Sequence, residues 1–159
     1  MRKYAANYLV SDTGLFLNNG IAIARTDGFI EQYIDTRGNL REVEQLSFHN
    51  GILIAGFLFT RNNATTPDLL SDNPFGALVL QLSGGSDQLS IQDYVEVGKK
   101  LQVQFPRMNI PAIMNEMTEI LQVNGGFQKQ TIAGLYLLTG VDLVNLHFTF
   151  KSRLKKISV

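Results

Sequence analysis

The amino-acid sequence predicts an α+β fold, and three observations carry that expectation. The first sixty residues divide into short β-type runs punctuated by Asn-Gly and Asp-Gly pairs. The middle of the chain holds two segments with helix-start signals and apolar residues at helical spacing. The last third returns to β-type runs. A chain of 159 residues, 45% hydrophobic and 18% charged, suffices to bury one core, so a single domain spanning 1–159 is expected.

Strands are expected over residues 4–10, 15–17, 21–26, 29–35, 45–48 and 52–59. Asn19-Gly20, Asp27-Gly28 and Asn50-Gly51 separate five of them, because such pairs accept the positive φ of tight hairpins. Ile21-Ala22-Ile23-Ala24 alternates large and small apolar residues, as a sheet face packed on a core requires. The N-terminal third therefore reads as a β-meander. Over 64–86 the pattern is ambiguous: Thr65-Thr66-Pro67-Asp68 resembles a helix start, and 75–82 fits either a strand or a helix. Ser90-Ile91-Gln92-Asp93 resembles a capping box, followed by a helix over 91–104 that Pro106 ends. Pro111 suits the first turn of a second helix, whose Ile113, Met114, Met117, Ile120 and Leu121 form an apolar stripe and which Asn124-Gly125-Gly126 stops. Strands over 133–138, 147–150 and 154–158 complete the reading.

Composition removes several functions. Fourteen Lys and Arg balance fourteen Asp and Glu, so no general field attracts nucleic acid or anionic lipid. The absence of Cys excludes disulfides, thiolate nucleophiles and Cys-containing zinc sites, and favours the cytoplasm. No secretory apolar segment is expected at the N-terminus, and the apolar run 52–59 is far short of the ~20 residues that cross a bilayer. No cofactor or metal is expected. The chain is also shorter than the roughly 200 residues that a (β/α)₈ barrel needs at minimum.

Isolated features read as structural. His49 lies beside the Asn50-Gly51 pair and His147 in a terminal run, and two unclustered His make no metal site. Gly84-Gly85-Ser86 lacks the Gly-Lys-Ser/Thr of a phosphate loop and reads as a turn. Asp68, Asp72, Asp87 and Asp93 lack EF-hand spacing. Lys151, Arg153, Lys155 and Lys156 fit the protection of an edge strand.

Two separated blocks resemble the two ends of an amidohydrolase-superfamily enzyme of the cytosine-deaminase and chlorohydrolase-like branch. The first comprises Ala5-Ala6-Asn7-Tyr8-Leu9-Val10, Leu17-Asn18-Asn19-Gly20-Ile21-Ala22-Ile23, Asp27-Gly28-Phe29-Ile30 and Asn50-Gly51-Ile52-Leu53-Ile54-Ala55-Gly56-Phe57, with Ala55 where the family usually has Pro. The second begins at Asp87-Gln88-Leu89-Ser90-Ile91 and continues through Asn124-Gly125-Gly126-Phe127, Gly134-Leu135, Gly140-Val141-Asp142-Leu143 and the final strand. The resemblance implies a composite β-sandwich built from residues 1–60 and 127–159, with 61–126 a mainly helical insertion in place of the catalytic barrel. It places Arg61 and Asn63, flanking Asn62, where the family's first metal-binding His pair would stand. A guanidinium repels a divalent cation and an Asn amide is a weak neutral ligand, so this pair cannot do the family's metal chemistry.

The leading expectation is thus a non-catalytic remnant acting as a small binding or assembly module. One alternative is a residual metal-dependent C–N hydrolase completed by another subunit. The other is a module in which Arg61, Asn62 and Asn63 hold a small anionic or polar ligand. A homodimer is expected, with the apolar stripe of the second helix facing the partner because its barrel neighbours are gone. No nucleic acid or membrane partner is expected.

Overall fold

The computed structural model describes residues 2–39, 46–61 and 73–158. Among the described residues the elements are β1 (Arg2–Val10), β2 (Phe16–Asn18), β3 (Ile21–Ala24), β4 (Ile30–Ile34), β5 (Leu46–Arg61), α1 (Pro74–Ser83), β6 (Gln88–Ser90), α2 (Ile91–Gln104), α3 (Ile110–Val123), β7 (Phe127–Thr139) and β8 (Arg153–Ser158). Helices and strands combine in a mixed fold. Its strands form one eight-stranded sheet in the order β4-β3-β1-β5-β7-β8, with β2 paired to β1 and β6 to β5. The sheet is not a closed barrel. The chain divides into two compact units: residues 1–56, 131–143 and 151–159 form the first, and 57–130 and 144–150 the second. Among the described residues, no helix is long and apolar enough to cross a membrane.

In the first unit, β1 lies antiparallel to β3, with Ala5 opposite Ile21, and parallel to β5, with Leu9 opposite Leu53. The Asn19-Gly20 and Asp27-Gly28 turns form where expected, Asn19 and Gly28 each taking a positive φ. The Gly28 carbonyl oxygen accepts the Gly134 N–H at 2.8 Å, which brings the β3–β4 turn onto β7. Tyr4, Ala6 and Leu9 of β1 share a buried cluster with Ala22, Leu53 and Leu135. Fully burying one such Leu contributes about 1.5–3 kcal/mol.

Two expectations for this unit are corrected. The N-terminal third is not a simple meander, because β5 does not pair with β4 but lies parallel beside β1. Asn50-Gly51 is not a hairpin either; both residues lie inside the 16-residue β5. Gly51 keeps a positive φ of 134°, and its N–H donates to Asn7 Oδ1 at 2.8 Å. The β1–β5 register shifts between Ala6 and Tyr8, so the pair marks an irregularity in a continuing strand rather than its end.

In the second unit, each helix opens on a side-chain cap. Asn73 accepts from the Phe75 N–H, Ser90 from the Asp93 N–H and Asn109 from the Ala112 N–H. The ambiguous run 75–82 is helix, since Pro74 suits a first helical turn after the Asn73 cap. The expected helix start at 65–68 lies outside the described residues. Phe57 and Phe59 of β5 meet Tyr94 of α2 edge-on and stacked, at 5.0 and 5.7 Å between ring centres. The Tyr94 hydroxyl donates to the Met114 carbonyl oxygen at 2.7 Å.

The apolar stripe of α3 is corrected too. Ile113, Met117 and Leu121 are wholly buried within the chain itself, so the stripe does not wait for a second subunit. Residues 147–150 do not form a strand beyond a single bridge at His147. Leu146 has a φ of 55°, and the Phe148 N–H is taken by the Gln102 side chain at 3.1 Å. Those partners hold the segment as a loop against α2.

Candidate functional site

Arg61 ends β5 inside the second unit, and its surroundings decide what it can do. Its backbone N–H donates to the Asp87 carbonyl oxygen at 2.7 Å, and its Nε donates to the Gly125 carbonyl oxygen at 2.9 Å. The guanidinium carbon lies 4.3 Å from the centre of the Phe127 ring. A cation stacked on a ring face and bonded to a helix-end carbonyl is a clamp holding the α3–β7 turn to the end of β5. Asn62 and Asn63 lie outside the described residues.

Among the described residues, no group of three or more Asp, Glu, His or Cys could hold a cation. The Arg61 guanidinium itself, a permanent cation without a lone pair to offer, does not fit the metal that the amidohydrolase resemblance implies. His49 belongs to the first unit and His147 to the second. His49 stacks on Tyr4 with 6.2 Å between ring centres, and its buried Nε2 has no hydrogen-bond partner among the described residues. Asp87 supplies its carbonyl to Arg61, and Asp93 lies in the first turn of α2.

The sequence reading did not single out a cavity of about 360 Å³ in the first unit, lined by Arg2, Tyr4, Ala24, Arg25, Thr26, Ile157 and Ser158. Three elements supply it. In the β1–β3 register Arg2 stands opposite Ala24 and Tyr4 opposite Ala22, so the alternation of β1 puts Arg2 at the open end of the row that carries buried Tyr4 and Ala6. Arg25 and Thr26 enter the turn after β3, which two backbone hydrogen bonds between Arg25 and the residues Gly28 and Phe29 close. Ile157 and Ser158 come from β8, where the Ser158 hydroxyl oxygen accepts the Leu135 N–H at 3.0 Å.

No family model, no curated protein and no solved structure matches this chain. The resemblance to the amidohydrolase superfamily thus stands on the quoted residues alone.

The cavity residues were hidden in the sequence for a definable reason. Arg2 and Arg25 are twenty-three positions apart (25 − 2) and belong to no motif. Only the pairing of Arg2 with Ala24 brings them to the same end of the sheet.

Proposed function

We propose that the chain is a non-catalytic relative of the amidohydrolases that serves as a small binding or assembly module. In this reading the strands from both chain ends correspond to the superfamily's composite β-sandwich, and residues 61–126 replace its barrel. The observation that carries the proposal is the placement of Arg61. At the position where the resemblance expects a metal-binding His stands a permanent cation already bonded to the Gly125 carbonyl and stacked on Phe127. The cysteine-free composition supports a cytoplasmic setting.

Elemental analysis of the purified chain tests this reading, with cytosine and related C–N substrates assayed in parallel. The expected result is no stoichiometric Zn, Fe or Mn and no hydrolysis. One tightly bound transition metal per chain, or turnover that a chelator abolishes, overturns it. The double variant Arg61→His with Asn63→His is expected to remain inactive, since two imidazoles provide neither the other ligands nor a general acid-base group.

Self-association belongs to the same proposal, but at a different face from the α3 stripe. Val103 on α2 and Val123 on α3 are about three-quarters exposed, and such side chains are what a second copy would cover. Light scattering that returns a single species of 17.7 kDa at micromolar concentration ends that part of the proposal.

A further inference from the structure

We infer that the cavity of the first unit is a binding site for a small organic anion, one carboxylate or phosphate group carried on a short apolar body. The inference rests on that cavity alone and does not depend on the amidohydrolase reading.

The lining is a set of hydrogen-bond donors without a carboxylate among them. Arg2 and Arg25 bring two guanidinium groups, and Tyr4, Thr26 and Ser158 bring three hydroxyls. Arg25 is partly neutralised, since its Nη2 bonds the Asp27 carboxylate. The same pairing fixes the guanidinium on its turn, where Asp27 also accepts the Phe29 N–H. Arg2 makes no ion pair among the described residues. It adds a second positive charge to the cavity lining, and a guanidinium recognises carboxylate and phosphate through two parallel N–H donors.

Tyr4 supplies a further donor. It is only 5% exposed, it lines the cavity, and its hydroxyl has no hydrogen-bond partner among the described residues. That oxygen is not one of the buried side-chain atoms left without a partner, so it is open to solvent and can donate to a ligand. An anion seated between the two arginines would supply the acceptor. The Thr26 hydroxyl is likewise unpartnered among the described residues, and the Ser158 hydroxyl, already accepting from Leu135, keeps its own hydrogen to donate. Ala24 and Ile157 add apolar wall, which suits a ligand with a hydrocarbon portion better than a bare inorganic ion. The volume of about 360 Å³ lies at the lower end of the ~300–1,000 Å³ typical of small-molecule sites, so the ligand is small.

The full chain is titrated at fixed ionic strength with sodium butanoate, with propyl phosphate and with the neutral butanamide, while the melting temperature and the backbone NMR shifts of Arg2, Tyr4 and Thr26 are followed. At least one anion is expected to raise the melting temperature and shift those signals saturably, whereas butanamide leaves both unchanged. Which anion does so separates carboxylate from phosphate ligands. Arg2→Gln is expected to fold with an unaltered melt and to weaken binding at least tenfold, and Thr26→Val to weaken it less. If neither anion binds saturably, if butanamide binds equally well, or if Arg2→Gln and Thr26→Val both bind like the parent, the inference is overturned.

Discussion

The Gln102 side chain accepts the Phe148 N–H at 3.1 Å, joining α2 to a loop forty-six positions later in the chain. Its amide also donates to the Met108 carbonyl oxygen at 2.6 Å, so one buried side chain satisfies backbone groups on two otherwise irregular segments. Gln102 is 6% exposed, and nothing in its local sequence distinguishes it from the exposed Gln104 two positions on.

Replacing Gln102 by Leu keeps the volume but leaves the Phe148 N–H and Met108 carbonyl without this partner. The expected cost is about 1–3 kcal/mol, read as a lower denaturation midpoint with an unchanged slope. Gln102→Glu keeps the acceptor for Phe148 and loses the donor to Met108, so it also destabilises. Parental stability in Gln102→Leu would show that the bridge contributes nothing.

Met117→Lys places an ammonium among Ile113, Leu121 and the other wholly buried residues of the second unit. A buried charge without a partner typically costs about 3–5 kcal/mol, so the variant should be unfolded or aggregated at 25 °C. A soluble variant with the parental melt would mean that this side chain reaches solvent.

Gly51→Ala and Gly85→Ala form a matched pair, because both glycines have positive φ, 134° and 91°. A methyl group at Gly85 meets nothing within 4 Å, so its cost is conformational alone, about 1 kcal/mol. At Gly51 it would press on the Leu138 carbonyl oxygen of the first unit. Gly51→Ala should therefore destabilise clearly more than Gly85→Ala in parallel urea titrations. Equal losses would remove the close approach of β5 and β7 as the reason for glycine.

Stability should fall on the alkaline side. Burial, reinforced by the Asp12 carboxylate, pushes the Tyr33 hydroxyl from 10 up to about 12, and burial raises Tyr94 further. An unfolded Tyr ionises near pH 10, so above that value the unfolded chain gives up protons that the folded one retains. The contribution of Tyr33 is complete below pH 10 and is lost as pH rises from 10 through 12, and that of Tyr94 persists to higher pH. Tyr33→Phe should make the stability profile flatter between pH 10 and 12. An identical slope in the variant would show that Tyr33 titrates normally.

The sequence by itself determined the elements whose signals are local. The helix over 91–104 needed only Ser90 at its cap, apolar spacing and Pro106 beyond it, and the second helix needed Pro111 in its first turn. Caps and proline act within one turn of the backbone, so their meaning travels with the residues. Tertiary structure decided what depends on partners distant in the chain. Asn50-Gly51 carries the local chemistry of a hairpin, yet the strand continues because Asn7 binds the Gly51 N–H and β1 and β7 flank β5. Residues 147–150 look like a strand, but Gln102 takes the Phe148 N–H that a ladder would use. Met117 has an apolar stripe's spacing whether it faces a second copy or its own chain, and only the packing of α1 and α2 with α3 selects the latter. The cavity is the extreme case: Arg2, Thr26 and Ser158 lie at both ends of the chain, and only the β1–β3 register together with the approach of β8 makes them line one cavity. Pairing energy is shared along a whole ladder and no single residue encodes it, which is why the donors around that cavity were invisible until the sheet was formed.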